Sequence, residues 1–182
     1  ANYFVRDTVA PFFVNQPQDR TAECNAGSLD AFGVYLFEMA EATADDACSS
    51  ATISGNRVQS DLAPLLDASC SVEIDVTWTA TDECGLSTTA DSTFIVADRL
   101  PPNFTREAED ETVECNGDSL DRFQAYLDRN ADAAAEDDCS GTRVIISNVR
   151  DVNDLLLTGA CEDDLLVTIF ATDVCGLVNR ST

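Results

Sequence analysis

The sequence predicts a mainly β protein, built as two tandem β-sandwich repeats of 91 residues with one α-helix inserted in each. Three observations predict it. Each cysteine of the first half recurs 91 residues later: Cys24, Cys48, Cys70 and Cys84 return as Cys115, Cys139, Cys161 and Cys175. The segment SVEIDVTWTAT alternates apolar and polar residues with the period of a half-buried strand. The stretch that opens at Ser28 has apolar residues at helical spacing.

The two halves align without a gap. TAECNAGSLDAF matches TVECNGDSLDRF, and TATDECGL matches FATDVCGL. In this register Ala1–Asp7 (ANYFVRD) falls on Ser92–Asp98 (STFIVAD), the last strand of the first repeat, and Thr182 falls on Asp91. Residues 1–7 are therefore read as the final strand of a preceding repeat, or as a donor strand. Residues 8–98 are repeat 1, and residues 99–182 are repeat 2 lacking its last strand.

Taken in order, short strands are expected around Phe12–Val14 and Arg20–Cys24. Ser28 is placed to N-cap the helix, with Asp30 in the first turn favouring its dipole. Leu29, Phe32, Leu36 and Met39 then share one face, and Ser119, Leu120, Asp121, Phe123 and Leu127 repeat the arrangement. Such a stripe closes one side of a sandwich. A further short strand is expected over Thr52–Val58. In SVEIDVTWTAT, Val72, Ile74, Val76, Trp78 and Ala80 point inward, as do Leu165, Val167, Ile169 and Ala171 in the second repeat. STTADSTFIVA forms the following strand. Short strands between turn signals, in about ninety residues, are the pattern of an immunoglobulin-like sandwich.

Charge narrows the function. Thirty-four acidic residues face ten basic ones, all arginine, for a formal net charge of -24. Such a surface repels the phosphates of nucleic acid. It suits divalent cations, salty water or a basic partner. The chain has no histidine and no lysine. The commonest general base, the Schiff-base amine and histidine-based triads are thus missing, and no enzyme is expected. No apolar run of transmembrane length is present, so no direct membrane insertion is expected.

An even number of regularly spaced cysteines reads as disulfides and an oxidising compartment. Zinc sites use short paired spacings that are absent here. Cys70 and Cys84 flank one continuous strand and lie ~35–45 Å apart at ~3.3 Å per residue, so they cannot be bonded. That excludes Cys24–Cys48 as the complementary pair. Of the two remaining connectivities, Cys24–Cys70 with Cys48–Cys84 is preferred, because DDAC and TDEC both read as loops at one end of the sandwich. The equivalents are Cys115–Cys161 and Cys139–Cys175.

If those loops meet, Asp46 and Asp82 meet, and Asp7 enters near the same end. In the second repeat the set is Asp98, Asp137 and Asp173. Gathered carboxylates are what Ca²⁺ requires, and calcium is the cofactor expected. Asp151–Glu162 has the length of an EF-hand loop without its glycine and middle ligands, and is discounted. Asn103-Phe-Thr and Asn179-Arg-Ser fit the N-glycosylation pattern.

The stretch ATADDACS…TWTATDECGLSTTADSTFIVADRLPP resembles the HYR (hyalin repeat) and HYR-like modules, which recur in tandem in large bacterial surface adhesins and fibres. The likeness centres on Asp82, Cys84, Gly85 and Asp98–Pro102, and on Asp173, Cys175 and Gly176. The resemblance implies immunoglobulin-like folds, tandem arrays, secretion and adhesion, and no catalytic residues.

The expected role is thus a structural repeat unit of an extracellular cell-surface filament or adhesin stalk. Its partners are copies of itself. They join either in one long tandem chain or head to tail, with Tyr3, Phe4 and Val5 donated to the open edge of a neighbour. The alternative is an adhesive module that binds glycans or proteins without forming a filament.

Overall fold

The computed structural model describes residues 1–63, 70–139, 144–148, 150 and 164–182. Cys161 and the whole of segment 151–162 lie outside the described residues. The fold is mainly β, with two α-helices among the described residues. The chain divides into two compact units, Ala1–Asp98 and Arg99–Thr182.

The first unit is organised by one long hairpin. Strands β5 (Ser71–Asp82) and β6 (Ser87–Ala97) pair antiparallel from Ser71↔Ala97 to Thr81↔Ser87. The hairpin turn needs a left-handed residue, and Gly85 supplies it at φ +85°. Strand β4 (Ala51–Gly55) lies against the other edge of β5. Strand β2 (Arg20–Glu23) pairs with β6 in parallel, Arg20↔Phe94 to Glu23↔Ala97. The sheet order is therefore β2-β6-β5-β4. A separate two-stranded sheet joins β1 (Phe12–Asn15) to β3 (Thr43–Asp45).

Alternation along β5 buries Ile74, Val76, Trp78 and Ala80 while Glu73 and Asp75 stay exposed. Helix α1 (Ser28–Phe37) buries Phe32 and Tyr35. Phe94 of β6 meets both rings at 5.1 Å, and Tyr35 packs edge-on to Trp78 at 6.0 Å. Ser92 resolves the polar cost of this core. Its hydroxyl accepts from Trp78 Nε1 at 2.8 Å and is hydrogen-bonded to the Tyr35 hydroxyl.

The helix departs from expectation in two ways. Ser28 is its first residue, not its cap, and the N-cap position falls on Gly27. The Ser28 hydroxyl instead accepts from Asn25 N–H at 2.9 Å and lies 2.9 Å from Glu23 O, tying β2 to the helix. The buried face is Phe32 and Tyr35, whereas Met39 is exposed. Met39 lies beyond the helix end, in a left-handed turn over Met39, Ala40 and Glu41 with φ 53°, 52° and 63°. That conformation is costly for non-glycine residues. The turn aims the Ala40 carbonyl at Gln18 N–H, 2.8 Å away, and turns the chain into β3.

The second unit repeats several of these elements. Strands β7 (Asn103–Arg106) and β8 (Ala134–Glu136) form a two-stranded sheet. Helix α2 (Ser119–Asp128) ends in the same left-handed turn at Asn130, Ala131 and Asp132. Strands β9 (Ile145–Asn148), β10 (Ile169–Thr172) and β11 (Val178–Ser181) form a sheet in the order β11-β10-β9. Leu127, Ala131, Val167 and Ile169 make its buried core.

Among the described residues, one strand of the first unit has no counterpart in this copy. Residues 111–114, the equivalent of β2, are not a strand. In the first unit β2 exists by pairing with the Phe94–Ala97 end of β6. Residues 1–182 contain no equivalent of that end in the second unit. An isolated four-residue strand has nothing to satisfy its backbone.

Candidate functional site

Two places in the molecule carry more than packing. The first lies at the end of the first unit where the β5–β6 turn meets the loop before β4. Residue pairing brings these loops together: Ala51 sits opposite Asp82, and Ser50 Oγ donates to Glu83 Oε1 at 2.8 Å. Asp46 organises its own loop by accepting from Cys48 N–H at 2.9 Å and Ser49 N–H at 3.1 Å through Oδ1. Asp82 does the same for the hairpin, accepting from Leu86 N–H at 2.9 Å through Oδ1. Asp7 arrives from the N-terminal segment, its Oδ1 accepting from Val9 N–H at 3.1 Å.

These acids converge. Ligand atoms of Asp7, Asp46 and Cys48 all lie within 4.8 Å of one another. The Cys84 thiol is close enough to register the charges of Asp7, Asp82 and Asp46. Its pKa is raised by desolvation first, then by Asp7, Asp82, Cys48 and Asp46. A raised thiol pKa makes Cys84 a poor nucleophile and a poor thiolate ligand. The Oδ2 atoms of Asp7 and Asp82 are buried and have no hydrogen-bond partner. Such orphaned acceptors cost about 1–3 kcal/mol each, and more when charged.

In the second unit the aspartates hold their own turns in the same way. Asp173 accepts from Cys175 N–H at 2.7 Å and Leu177 N–H at 2.9 Å through Oδ1, and its buried Oδ2 has no hydrogen-bond partner. Asp137 is buried and accepts from Cys139 N–H at 2.9 Å. Asp98 ends the first unit, its N–H donating to Cys70 O at 2.9 Å.

The cysteines divide between the repeats. Cys24 and Cys70 of the first unit and Cys139 and Cys175 of the second are disulfide-bonded. Cys48, Cys84 and Cys115 are thiols in this structure and exposed. In the 91-residue register, Cys139 and Cys175 stand for Cys48 and Cys84, and Cys115 stands for Cys24. Each expected connection is thus occupied by oxidised cysteines in one repeat.

The second place is a groove on the second unit, a cavity of about 540 Å³. Its walls include Glu111, Val113, Phe123, Tyr126, Leu165 and Val167. Phe123 and Tyr126 are the equivalents of Phe32 and Tyr35, whose rings enclose Phe94 in the first unit. Leu165 is the equivalent of Ile74, which sits opposite Phe94 in the hairpin. Three of the groove's walls are thus the counterparts of residues that contact or face Phe94 in the first unit. Meanwhile Tyr3, Phe4 and Val5 are 92%, 84% and 81% exposed, in a segment with no regular secondary structure. The repeat alignment, which leaves the second repeat without its last strand, predicts an open edge of this kind with Tyr3 and Val5 to fill it; Phe123, expected on the core face of the helix, lines the groove instead.

The two glycosylation candidates differ in setting. Asn103 is exposed at the start of β7. Asn179 is engaged, its side-chain amide donating to Pro102 O at 2.9 Å and its oxygen accepting from Arg180 N–H.

No family model matches this chain, and no curated protein matches it.

Proposed function

We propose that the chain is a structural repeat unit of an extracellular cell-surface filament or stalk, made of immunoglobulin-like modules of the HYR-like kind. Its modules are completed by strands of the Ser92–Asp98 type. A completing strand comes either from continuing chain or from residues 1–7 of another copy. The observation that carries this reading is the correspondence of groove and strand. The groove on the second unit is lined by the counterparts of residues that hold Phe94 in the first. The segment in register with Phe94–Val96 is Tyr3–Val5, which lies exposed. Strand addition would satisfy the backbone of residues 111–114 and bury two apolar side chains together. Disulfides in both units support a life in an oxidising compartment. Among the described residues no helix is long and apolar enough to cross a membrane.

The test uses the chain with residues 1–5 deleted and a synthetic ANYFVRD peptide. The peptide is expected to bind the truncated protein saturably, and a peptide with Tyr3→Asp and Val5→Asp is expected not to. Equal binding of both peptides, or of neither, would sink strand completion. Denaturing electrophoresis of the natural material, with and without reductant, separates the two sources of the strand. A species near 19.5 kDa means separate subunits, and one many times larger that survives reduction means a tandem chain.

A further inference from the structure

We propose that Asp7, Asp46 and Asp82 form a Ca²⁺ site at the end of the first unit. The argument begins with Asp82. It is 6% exposed, in a hairpin whose turn backbone holds one carboxylate oxygen. The other oxygen is buried and unpartnered. Asp7 repeats the pattern, with one oxygen held by Val9 N–H and the other buried without a partner. A fold that fixes a carboxylate through one oxygen and leaves the second buried has oriented it as a ligand, because a hydrogen bond behind a ligand sets its direction. Asp46 stands with Asp7 inside a 4.8 Å cluster of ligand atoms that also holds Cys48, and the hairpin turn of Asp82 is fastened to the Asp46 loop by the Ala51–Asp82 pairing and by Ser50 Oγ donating to Glu83 Oε1 at 2.8 Å. Carboxylates brought together this way repel each other until a cation joins them.

The donor chemistry selects the ion. Ca²⁺ takes carboxylate oxygens in irregular geometry and completes its shell with carbonyls and water, whereas Zn²⁺ favours nitrogen and thiolate. The chain has no histidine. Cys48 is the sulfur nearest the carboxylates. Cys48 and Cys84 are thiols here, but their counterparts Cys139 and Cys175 are both disulfide-bonded, and the same oxidation in the first unit would withdraw Cys48 as a ligand. The set would then be all oxygen. In the second unit Asp173 carries the same buried, unpartnered oxygen. The ion would pin the segment that carries Asp7 onto the loops of Asp46 and Asp82. The site does not depend on strand completion, since its three acids belong to one unit.

The experiment is calorimetric titration of the full, non-reduced 182-residue chain with CaCl₂ in about 150 mM NaCl, where diffuse counterion effects are screened. Saturable binding is expected. Asp82→Asn and Asp46→Asn are each expected to weaken it more than tenfold, while Asp30→Asn, which removes the same charge from an exposed helix position, leaves it unchanged. Thermal melts give a second readout. In chelator, Asp82→Asn is expected to melt at or above the wild-type temperature, and in Ca²⁺ below it; a merely structural aspartate would not reverse in this way. Three outcomes overturn the proposal. One is no saturable binding. Another is equal loss in Asp30→Asn, which would mark a diffuse counterion cloud. The third is preference for Zn²⁺ that thiol alkylation abolishes, which would mark a thiolate site. If Asp82→Asn fails to fold, Asp46→Asn decides, because the asparagine oxygen keeps the bonds to Cys48 and Ser49.

Discussion

At the scale of residues, single polar groups settle the cost of building this core. Ser92 sits between Trp78 and Tyr35, accepting from the indole N–H and sharing a hydrogen bond with the phenol. Burial is the first cause of a raised Tyr35 pKa, and Tyr126 is raised by burial as well. The sign of the pH effect follows. Below the unfolded pKa near 10, both states keep the phenol protonated and its contribution is fully present. As pH climbs toward the higher folded value, the unfolded chain loses protons first and stability falls. Denaturant melts are therefore expected to show stability dropping above about pH 10, with a shallower drop in Tyr35→Phe. An equal drop in that variant would place the effect elsewhere. Gly85 is a second decisive residue. A methyl group there would meet nothing within 4 Å, so only its φ of +85° demands glycine. Gly85→Ala is expected to cost about 1 kcal/mol, read as a lower urea midpoint, with the Asp82–Leu86 turn otherwise intact.

At the scale of elements, the two copies of one pattern form a natural experiment. β5, β6 and the helix were legible in the sequence because their signals are local: period-two alternation for the strands and apolar spacing for the helix. The parallel pairing of β2 with β6 was not legible. It joins residues more than seventy positions apart, and nothing in RTAE announces a parallel partner. The left-handed turn after each helix also escaped, since Met39-Ala40-Glu41 contains none of the residues that favour positive φ. In the second repeat Asn130 was the available hint. Because β2 needs its partner, residues 111–114 are expected to gain strand structure when the groove is filled. Hydrogen exchange at Thr112, Val113 and Glu114 should slow on addition of the ANYFVRD peptide and stay unchanged with the Tyr3→Asp, Val5→Asp peptide. Slowing with both peptides would contradict register-specific pairing.

At the scale of the whole molecule, the covalent frame and the charge act together. Loop-closing disulfides stabilise by about 2–4 kcal/mol each, a large share of the stability of small modules. The oxidised protein is expected to carry Cys48–Cys84 beside the bonded cysteines seen here. Thiol titration in guanidinium without reductant should then find neither Cys48 nor Cys84 reactive; two alkylated peptides from those positions by mass spectrometry would refute the pairing. A net charge of -24 favours expansion of the units by self-repulsion, and salt or bound cations would relieve it.

The sequence by itself determined the repeat, the long β5–β6 hairpin and the two helices, the acids and cysteines available, and the lack of histidine and lysine. These are local or compositional properties, readable from residue order. Only the tertiary structure decided which oxygens are buried without a partner, which aromatic rings enclose Phe94, and which side chains line the open groove of the second repeat. Such facts depend on contacts between residues far apart in the chain, and burial decides the energy of a polar or apolar group in a way that residue identity does not.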